Sequence, residues 1–321
     1  PHTLVTRVRR AGNGFAVHTD DAVWSARSVV IATGYHSRAT VPVLAIGLAP
    51  EVAQLTPAGY RSPSSLPDGG VLVVGASASG VQIADELVRA GRHVVLAVGG
   101  HTRLPRRYRG RDILWWLDRI GSLDRTIDQV PDPARARAES SLQLVGTTDG
   151  RGVDLGVLRR AGVRLAGRLR ALDGTTAEFA DDLHATVGVA QQRLNRLLAE
   201  IDAYIDVPPS GMPSTAAVPP DPPPVITMPA GPSRLDLRRA GISAVVWATG
   251  YRPRYPWLKV PVLGADGRIR HRRGVTEVPG LYAIGLRFQY RRSSTFVDGA
   301  RHDAGYLADE ITANRAVRVA V

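Results

Sequence analysis

The strongest constraint on the fold lies in residues 71–98. An apolar run, Val-Leu-Val-Val at 71–74, ends in the small-residue sequence Gly-Ala-Ser-Ala-Ser-Gly at 75–80. Apolar side chains then recur at helical spacing as far as Val88, and Gly91 ends this pattern before a second apolar run at 94–98. This order predicts a buried strand, a tight turn, an amphipathic helix and a second buried strand.

The turn reads G-x-S-x-x-G, a variant of the glycine motif that binds a dinucleotide pyrophosphate at a helix N-terminus. Gly75 is expected to make the turn, Ser77 stands where the motif usually has its middle glycine, and Gly80 allows close helix packing. A strand before the turn and a helix and strand after it are the context that the motif requires. We therefore predict cofactor contacts from the turn residues, Gly75, Ala76, Ser77, Ala78, Ser79 and Gly80. The alternative is a glycine-bearing turn that binds no ligand.

The end of the second apolar run favours NADPH over NADH. An NAD site usually places an acidic residue about 20 residues beyond the first glycine, whereas an NADP site offers arginine to the 2′-phosphate. Residues 96–100 contain no acidic residue, and an arginine-rich segment follows them. Arg103 is the first candidate for the 2′-phosphate contact, and Arg107 is the second. The alternative is that these arginines are a solvated surface run.

The charge of the chain reflects its composition. The net charge is +12, but Lys259 is the only lysine among the 41 Lys and Arg residues, and the arginines are spread from Arg7 to Arg318. They are not interleaved with aromatic residues as in a nucleic-acid module. We therefore expect anionic cofactors, with neither nucleic acid nor a membrane as partner.

Cysteine is absent from the sequence, so these residues supply no disulfide and no thiol redox pair. No His or carboxylate cluster has metal-ligand spacing, and we expect no metal site. Electron chemistry would therefore belong to a bound cofactor. The absence of cysteine, of a signal-peptide core and of a long apolar run makes a cytoplasmic protein the expectation.

A repeated strand end flanks the nucleotide motif. Apolar residues at 29–31 lead into Ala-Thr-Gly-Tyr at 32–35, and those at 244–247 lead into the same tetrapeptide at 248–251. Small residues at a strand end allow a cofactor or a crossing chain to come close. The candidate contacts here are Thr33, Gly34, Thr249 and Gly250.

The remaining segments give a coarse outline. Alternation over 4–34 predicts an antiparallel meander with a turn at Gly12-Asn13-Gly14. Further expectations are helix around Ile113 within 112–145, a strand pair formed by 163–165 and 178–179, an amphipathic helix over 183–206 and an irregular proline-rich connection over 207–233.

These motifs, in this order, resemble the flavin-containing monooxygenase-like FAD- and NADPH-dependent oxidoreductases of bacteria. Further support comes from Tyr60-Arg61, from the segment 104–112 with Trp115-Trp116, and from Val-Pro-Gly-Leu-Tyr-Ala-Ile-Gly at 278–285. The resemblance implies that the two Ala-Thr-Gly segments connect an FAD domain and an NADPH domain inserted into it, and that Gly285 contacts FAD. It also implies hydride transfer from NADPH to flavin and, in an oxygenase, reaction with O2 and a small-molecule substrate.

The expected fold is therefore α/β, with a doubly wound NADPH-binding domain inserted in an incomplete FAD-binding domain. We expect residues 1–64 to be a partial FAD-type domain, 65–242 the NADPH-binding domain, and 243–321 the C-terminal part of the FAD-type domain. The sequence identifies no catalytic acid or base and no oligomeric state.

Three departures from the family pattern concern the flavin. No strand–glycine turn–helix unit precedes residue 71, the fingerprint F-x-G-x-x-x-H-x-x-x-Y/W lacks its Phe, Gly and His near Tyr60, and Gly285 is followed by Leu286 in place of Asp. We therefore expect a chain truncated relative to the family that retains FAD poorly. The alternative function is an NADP(H)-binding remnant without flavin or activity.

Overall fold

The computed structural model describes residues 3–144, 150–206, 218–228 and 230–319, with side chains described as far as Asn314. The chain divides into two compact units. Unit 1 comprises 1–38, 121–138 and 251–321, and unit 2 comprises 39–120 and 139–250. Residues 121–138, which the sequence analysis assigned to the NADPH-binding domain, thus belong to unit 1.

The strands are β1 (Val5–Ala11), β2 (Gly14–Thr19), β3 (Val23–Ala26), β4 (Val29–Ile31), β5 (Arg38–Ala39), β6 (Ala53–Leu55), β7 (Gly70–Val74), β8 (Val94–Ala97), β9 (Arg107–Tyr108), β10 (Arg111–Asp112), β11 (Arg164–Ala166), β12 (Leu169–Asp173), β13 (Thr176–Phe179), β14 (Arg234–Asp236), β15 (Ile242–Trp247), β16 (Tyr251–Arg252), β17 (Leu258–Lys259) and β18 (Leu281–Ala283). The helices are α1 (Ala78–Arg89), α2 (Ile113–Arg119), α3 (Pro133–Ala138), α4 (Leu155–Arg160), α5 (Leu183–Asp206) and α6 (Val297–Val319). Short 3₁₀ turns occupy Val43–Gly47, Pro63–Ser65 and Ile127–Gln129.

Unit 2 is built on a parallel sheet of five strands in the order β11-β8-β7-β15-β6. Helix α1 connects β7 to β8, as the apolar periodicity predicted. Parallel strands joined by helical crossovers carry their loops at one common edge of the sheet, where ligands of such folds bind. The predicted α/β fold with a parallel sheet is confirmed.

Both faces of this sheet are buried, which explains why its strands read as continuous apolar runs. On β7, Val71 and Val73 pack in a cluster with residues of α1, α4 and α5. Leu72 and Val74 point the other way and pack in a second cluster with β12, β13 and β14, a three-stranded antiparallel sheet. The second face is thus covered by an antiparallel sheet instead of helices.

Unit 1 contains the predicted meander, with sheet order β17-β1-β2-β3, and a separate parallel pair formed by β4 and β18. Its core gathers apolar residues from these strands, including Val8, Phe15, Ile31, Leu258 and Leu281. Gly12 has a φ of 54° at the turn between β1 and β2.

One sequence expectation needs correction. Residues 163–165 and 178–179 do not pair with each other, because β11 joins the edge of the parallel sheet beside β8 while β13 lies between β12 and β14. The helix expected around Ile113 is α2, and residues 112–145 also contain the short helix α3. Helix α5 has the predicted bounds, and the part of the proline-rich connection at 207–217 and 229 lies outside the described residues.

Among the described residues, no helix combines the length and hydropathy that a bilayer crossing needs. The same residues hold no group of three or more His, Asp or Glu side chains placed to bind a metal ion.

Candidate nucleotide-binding site

The turn between β7 and α1 places a helix N-terminus at the carboxyl edge of the parallel sheet. The N–H of Gly75 donates to the carbonyl of Ala97 at the end of β8 over 2.9 Å, and helix α1 starts at Ala78. Ser77 is the N-cap residue, but its side chain makes no capping hydrogen bond, and the first turn carries no acidic residue. The first four N–H groups of a helix have no partner within the helix. This end of α1 therefore offers N–H donors and a favourable dipole to an anion.

Gly75 and Gly80 are required by the packing of the turn. Gly75 has a φ of 110°, a conformation that side chains rarely adopt, and a Cβ there would collide with the carbonyl oxygen of Ala248. A Cβ at Gly80 would collide with the carbonyl oxygen of Gly75. The two glycines thus hold the start of α1 tightly against the strand ends, as the dinucleotide motif requires.

Open space follows the adjacent strand β8. A Cβ at Gly99 or Gly100 would meet no atom within 4 Å. His101 then turns inward and is 3% exposed, with its Nδ1 3.0 Å from the carbonyl oxygen of Gly99. Burial lowers the pKa of His101, the hydrogen bond to Gly99 opposes this shift, and the positive charges of Arg103 and Arg193 add to it. The net shift favours the neutral ring.

The side chain of Arg103 is buried and hydrogen-bonded within unit 2. Its side chain is 2% exposed, and Nε donates to Oδ2 of Asp154 over 3.0 Å. The guanidinium also donates to the carbonyl of Pro224 over 2.9 Å and to Oε1 of Gln191. A contact between Arg103 and a 2′-phosphate would require these bonds to break, and the role of Arg103 in binding phosphate stays a prediction.

Arg107 remains accessible. It lies in a hairpin of β9 and β10 whose two turn residues, Arg109 and Gly110, have positive φ values of 44° and 71°. Arg109 is held there by an ion pair with Asp202 at 2.7 Å. The exposed Arg107 donates to the carbonyl of Gly110 over 2.9 Å.

Two further residues were missed by the sequence analysis. Arg193 is exposed on α5, and its positive charge contributes to the lowered pKa of His101 in the loop after β8. Gln143 is 2% exposed, and its Nε2 donates to the carbonyl of Ala76 in the glycine turn over 2.5 Å. Nothing local marks either residue, because Arg193 belongs to no motif in α5 and Gln143 lies in an irregular segment.

The glycine of each Ala-Thr-Gly segment has a positive φ and open space beside it. Gly34 and Gly250 have φ values of 63° and 88°, and a Cβ at either would meet no atom within 4 Å. In unit 2, the hydroxyl of Thr249 donates to the carbonyl of Thr40, whose N–H donates to the carbonyl of Gly250 over 2.8 Å. Thr33 is exposed.

The segments that follow these strand ends lie side by side within unit 1. The rings of His36 and Tyr251 meet edge to face with centroids 5.1 Å apart. The N–H of Arg254 donates to Oγ of Ser37 over 2.7 Å. The residues that continue from the two repeats are thus neighbours.

The two repeats differ in what flanks their strands. Strand β15 pairs with β7 on one side and β6 on the other, whereas β4 pairs only with β18 among the described residues. Gly285 follows β18 with a φ of 75° and open space beside it. The described part of unit 1 contains no glycine turn from a parallel strand into a helix like that at 75–80. The described residues therefore fit a dinucleotide pyrophosphate at the glycine turn of unit 2, and the described part of unit 1 has no counterpart of that turn.

The chain is similar to known oxidoreductases. Residues 1–117 match the family model of pyridine nucleotide-disulphide oxidoreductases. The chain is 28% identical over 320 residues to an uncharacterized CzcO-like oxidoreductase of Geobacillus kaustophilus, covering 97% of this chain and 72% of the relative. It is 26% identical over 310 residues to the uncharacterized oxidoreductase CzcO of Bacillus subtilis, covering 96% and 72%.

Among solved structures, a flavin-containing monooxygenase from Stenotrophomonas maltophilia superposes with a TM-score of 0.57 at 17% identity, over 99% of this chain and 70% of that one. The predicted resemblance is confirmed. The chain is similar in sequence to oxidoreductases and shares the fold of a flavin monooxygenase.

Proposed function

We propose that the chain binds NADPH at the carboxyl edge of the unit 2 sheet and serves an FAD- and NADPH-dependent oxidoreductase of the monooxygenase type. The observation that carries this proposal is the glycine turn at 75–80, which delivers the uncapped start of α1 to an open strand edge. Pyrophosphate is the anion that such a turn accepts.

A preference for NADPH over NADH is supported by charge. Residues 96–100 offer no carboxylate to a ribose 2′-hydroxyl. Two exposed arginines are candidates for a 2′-phosphate contact: Arg107, in the hairpin that follows β8 in the chain, and Arg193, whose charge lowers the pKa of His101. A 2′-phosphate gains charge-assisted hydrogen bonds from arginine, and NADH lacks this group.

Two features indicate the chemical role of the chain: the absence of cysteine and the proposed nucleotide site. Without cysteine, these residues cannot exchange electrons with a disulfide, which favours an oxygenase over a disulfide reductase. A flavin, when bound, would accept the hydride that NADPH donates. The part played by these residues is to bind and orient the nucleotide, and the proposed substrate is a small molecule.

One observation favours a second candidate, an NADP(H)-binding module without flavin. The described residues of unit 1 lack a counterpart of β7, the glycine turn and α1 beside β4. On this reading the chain binds NADPH and does not oxidise it.

Two measurements test these proposals. Equilibrium titration of the purified chain with NADPH and NADH should show tighter binding of NADPH, and failure to bind either would overturn the nucleotide site. The visible absorbance of the same preparation then separates the candidates. Stoichiometric flavin together with NADPH oxidation supports the oxidoreductase, and a colourless protein that binds NADPH supports the module.

A further inference from the structure

Gln143 connects an irregular segment to the glycine turn. The segment 140–143 runs beside the residues that follow β8. The hydroxyl of Ser140 donates to the carbonyl of Gly100 over 2.8 Å, and the N–H of Gln143 donates to the carbonyl of Thr102 over 2.9 Å. The Gln143 side chain then reaches Ala76, so that the loops after β7 and β8 are tied to one segment.

The hydrogen bond to Ala76 sets the direction of the neighbouring N–H. A trans peptide unit is planar, and its C=O and N–H point in opposite directions. The described backbone contains no cis peptide bond. By holding the carbonyl of Ala76, Gln143 therefore fixes the orientation of the N–H of Ser77. That N–H is among the donors at the start of α1 that have no partner in the helix.

The hydrogen bonding of the Gln143 amide supports a role for this side chain in setting the orientation. Among the described residues, its buried Oε1 accepts no hydrogen bond. A buried acceptor without a donor is unfavourable, so a position that needed only to be filled would be better occupied by Leu or Met. The amide is useful at this position for its N–H donor.

We infer that Gln143 is a positioning residue for the pyrophosphate-binding turn, which presets the Ala76–Ser77 peptide so that the Ser77 N–H can donate to a bound pyrophosphate. This inference rests on the proposed nucleotide site. It extends that site to a residue 63 positions beyond Gly80 in the chain (143 − 80). Pyrophosphate affinity should then depend on an amide that itself need not touch the ligand.

The experiment compares wild type with Gln143→Met, Gln143→Glu and a surface control, Gln192→Met, on the exposed side of α5. The probes are NADP⁺, ADP-ribose and inorganic pyrophosphate, all of which carry a pyrophosphate group, and adenosine 2′-monophosphate, which does not. Dissociation constants come from calorimetric titration or competition, and the thermal midpoint of each ligand-free variant reports folding.

We expect Gln143→Met to weaken the three pyrophosphate ligands by a common factor of about 5 to 10, the worth of one hydrogen bond, and to leave adenosine 2′-monophosphate unchanged. Gln143→Glu should weaken them more, because its carboxylate faces a carbonyl oxygen close to the anion. The thermal midpoint of Gln143→Met should stay near wild type, because losing the bond to Ala76 is offset by removing an unsatisfied acceptor.

Four results would overturn the inference. Equal affinities in wild type and Gln143→Met would show that the turn needs no such support. An equal loss for all four ligands, or a large fall in thermal midpoint, would indicate a general structural role. Failure of wild type to bind any pyrophosphate ligand would reject the proposed site itself, and the inference with it.

Discussion

Arg103 and Asp154 form a buried ion pair in unit 2, with Nε donating to Oδ2 over 3.0 Å and side chains 2% and 17% exposed. The second oxygen of Asp154 accepts the N–H of Val157 at the start of α4 over 2.9 Å. The pair thus joins the segment after β8 to a helix that packs in the same core.

The first prediction is that Arg103→Ala destabilises the chain. Removing the guanidinium leaves the carboxylate of Asp154 without its ionic partner, and we expect a loss of about 3 kcal/mol in the free energy of unfolding. Urea denaturation measures this loss. Arg159→Ala, on the exposed side of α4, is the matched control and should change stability by less than about 0.5 kcal/mol. If Arg103→Ala kept its stability but lost affinity for NADPH alone, Arg103 would instead be a contact of the 2′-phosphate.

The second prediction concerns nucleotide selectivity. Arg107→Ala and Arg193→Ala should each weaken NADPH by about 1.5 to 3 kcal/mol, since each removes a charge-assisted hydrogen bond to the 2′-phosphate, and should leave NADH unchanged. Calorimetric titration with both nucleotides makes the comparison. Arg170→Ala, exposed on β12, is the control for loss of one positive charge. If the variants lose affinity for both nucleotides equally, the arginines do not recognise the 2′-phosphate.

The third prediction uses two glycines in helices. A Cβ at Gly80 would collide with the carbonyl oxygen of Gly75, so Gly80→Ala should cost about 3 kcal/mol and abolish nucleotide binding. A Cβ at Gly188, inside α5, would meet no atom within 4 Å, so Gly188→Ala should stabilise the chain by about 0.5 to 1 kcal/mol. Urea denaturation of both variants checks the contrast. Equal effects would mean that the turn can relax around a side chain.

Local features of the site could be read from the sequence, and long-range ones could not. The strand–turn–helix–strand unit at 71–98 is encoded by neighbouring residues, because apolar periodicity and turn glycines act within a few positions. The partner of Arg103 lies 51 residues away and only folding brings the two together. The same holds for Gln143 and Ala76, which are 67 residues apart.

The failed strand pairing has a similar cause. Short apolar runs at 163–165 and 178–179 identify strands, but they carry no information on which neighbour each strand joins. Strand β11 pairs in parallel with β8 at the edge of the five-stranded sheet, and β13 pairs antiparallel with β12 and β14. Pairing follows the packing of the whole sheet, which local pattern does not contain.

The last prediction concerns acid stability and His271 in unit 1. The Nδ1 of His271 accepts the N–H of Gly274 over 3.2 Å, so the ring must be neutral at this nitrogen. Burial lowers the pKa of His271 to about 4, and the positive charge of Arg137 contributes to the shift. In the unfolded chain the pKa is about 6.5, so unfolding takes up a proton at any pH between these values.

Stability contributed by His271 should therefore be complete above pH 6.5 and should be lost as the pH falls towards 4. We expect a loss of about 2 kcal/mol, less than the full shift implies because the ring is only partly buried. Urea denaturation of wild type and His271→Asn across this range isolates the effect, since the Asn carbonyl can accept the Gly274 N–H without titrating. As the pH falls, the unfolding free energy of wild type should decrease relative to that of His271→Asn, so that any advantage of wild type narrows or reverses. A difference that stays constant with pH would show that folding does not lower the pKa of His271.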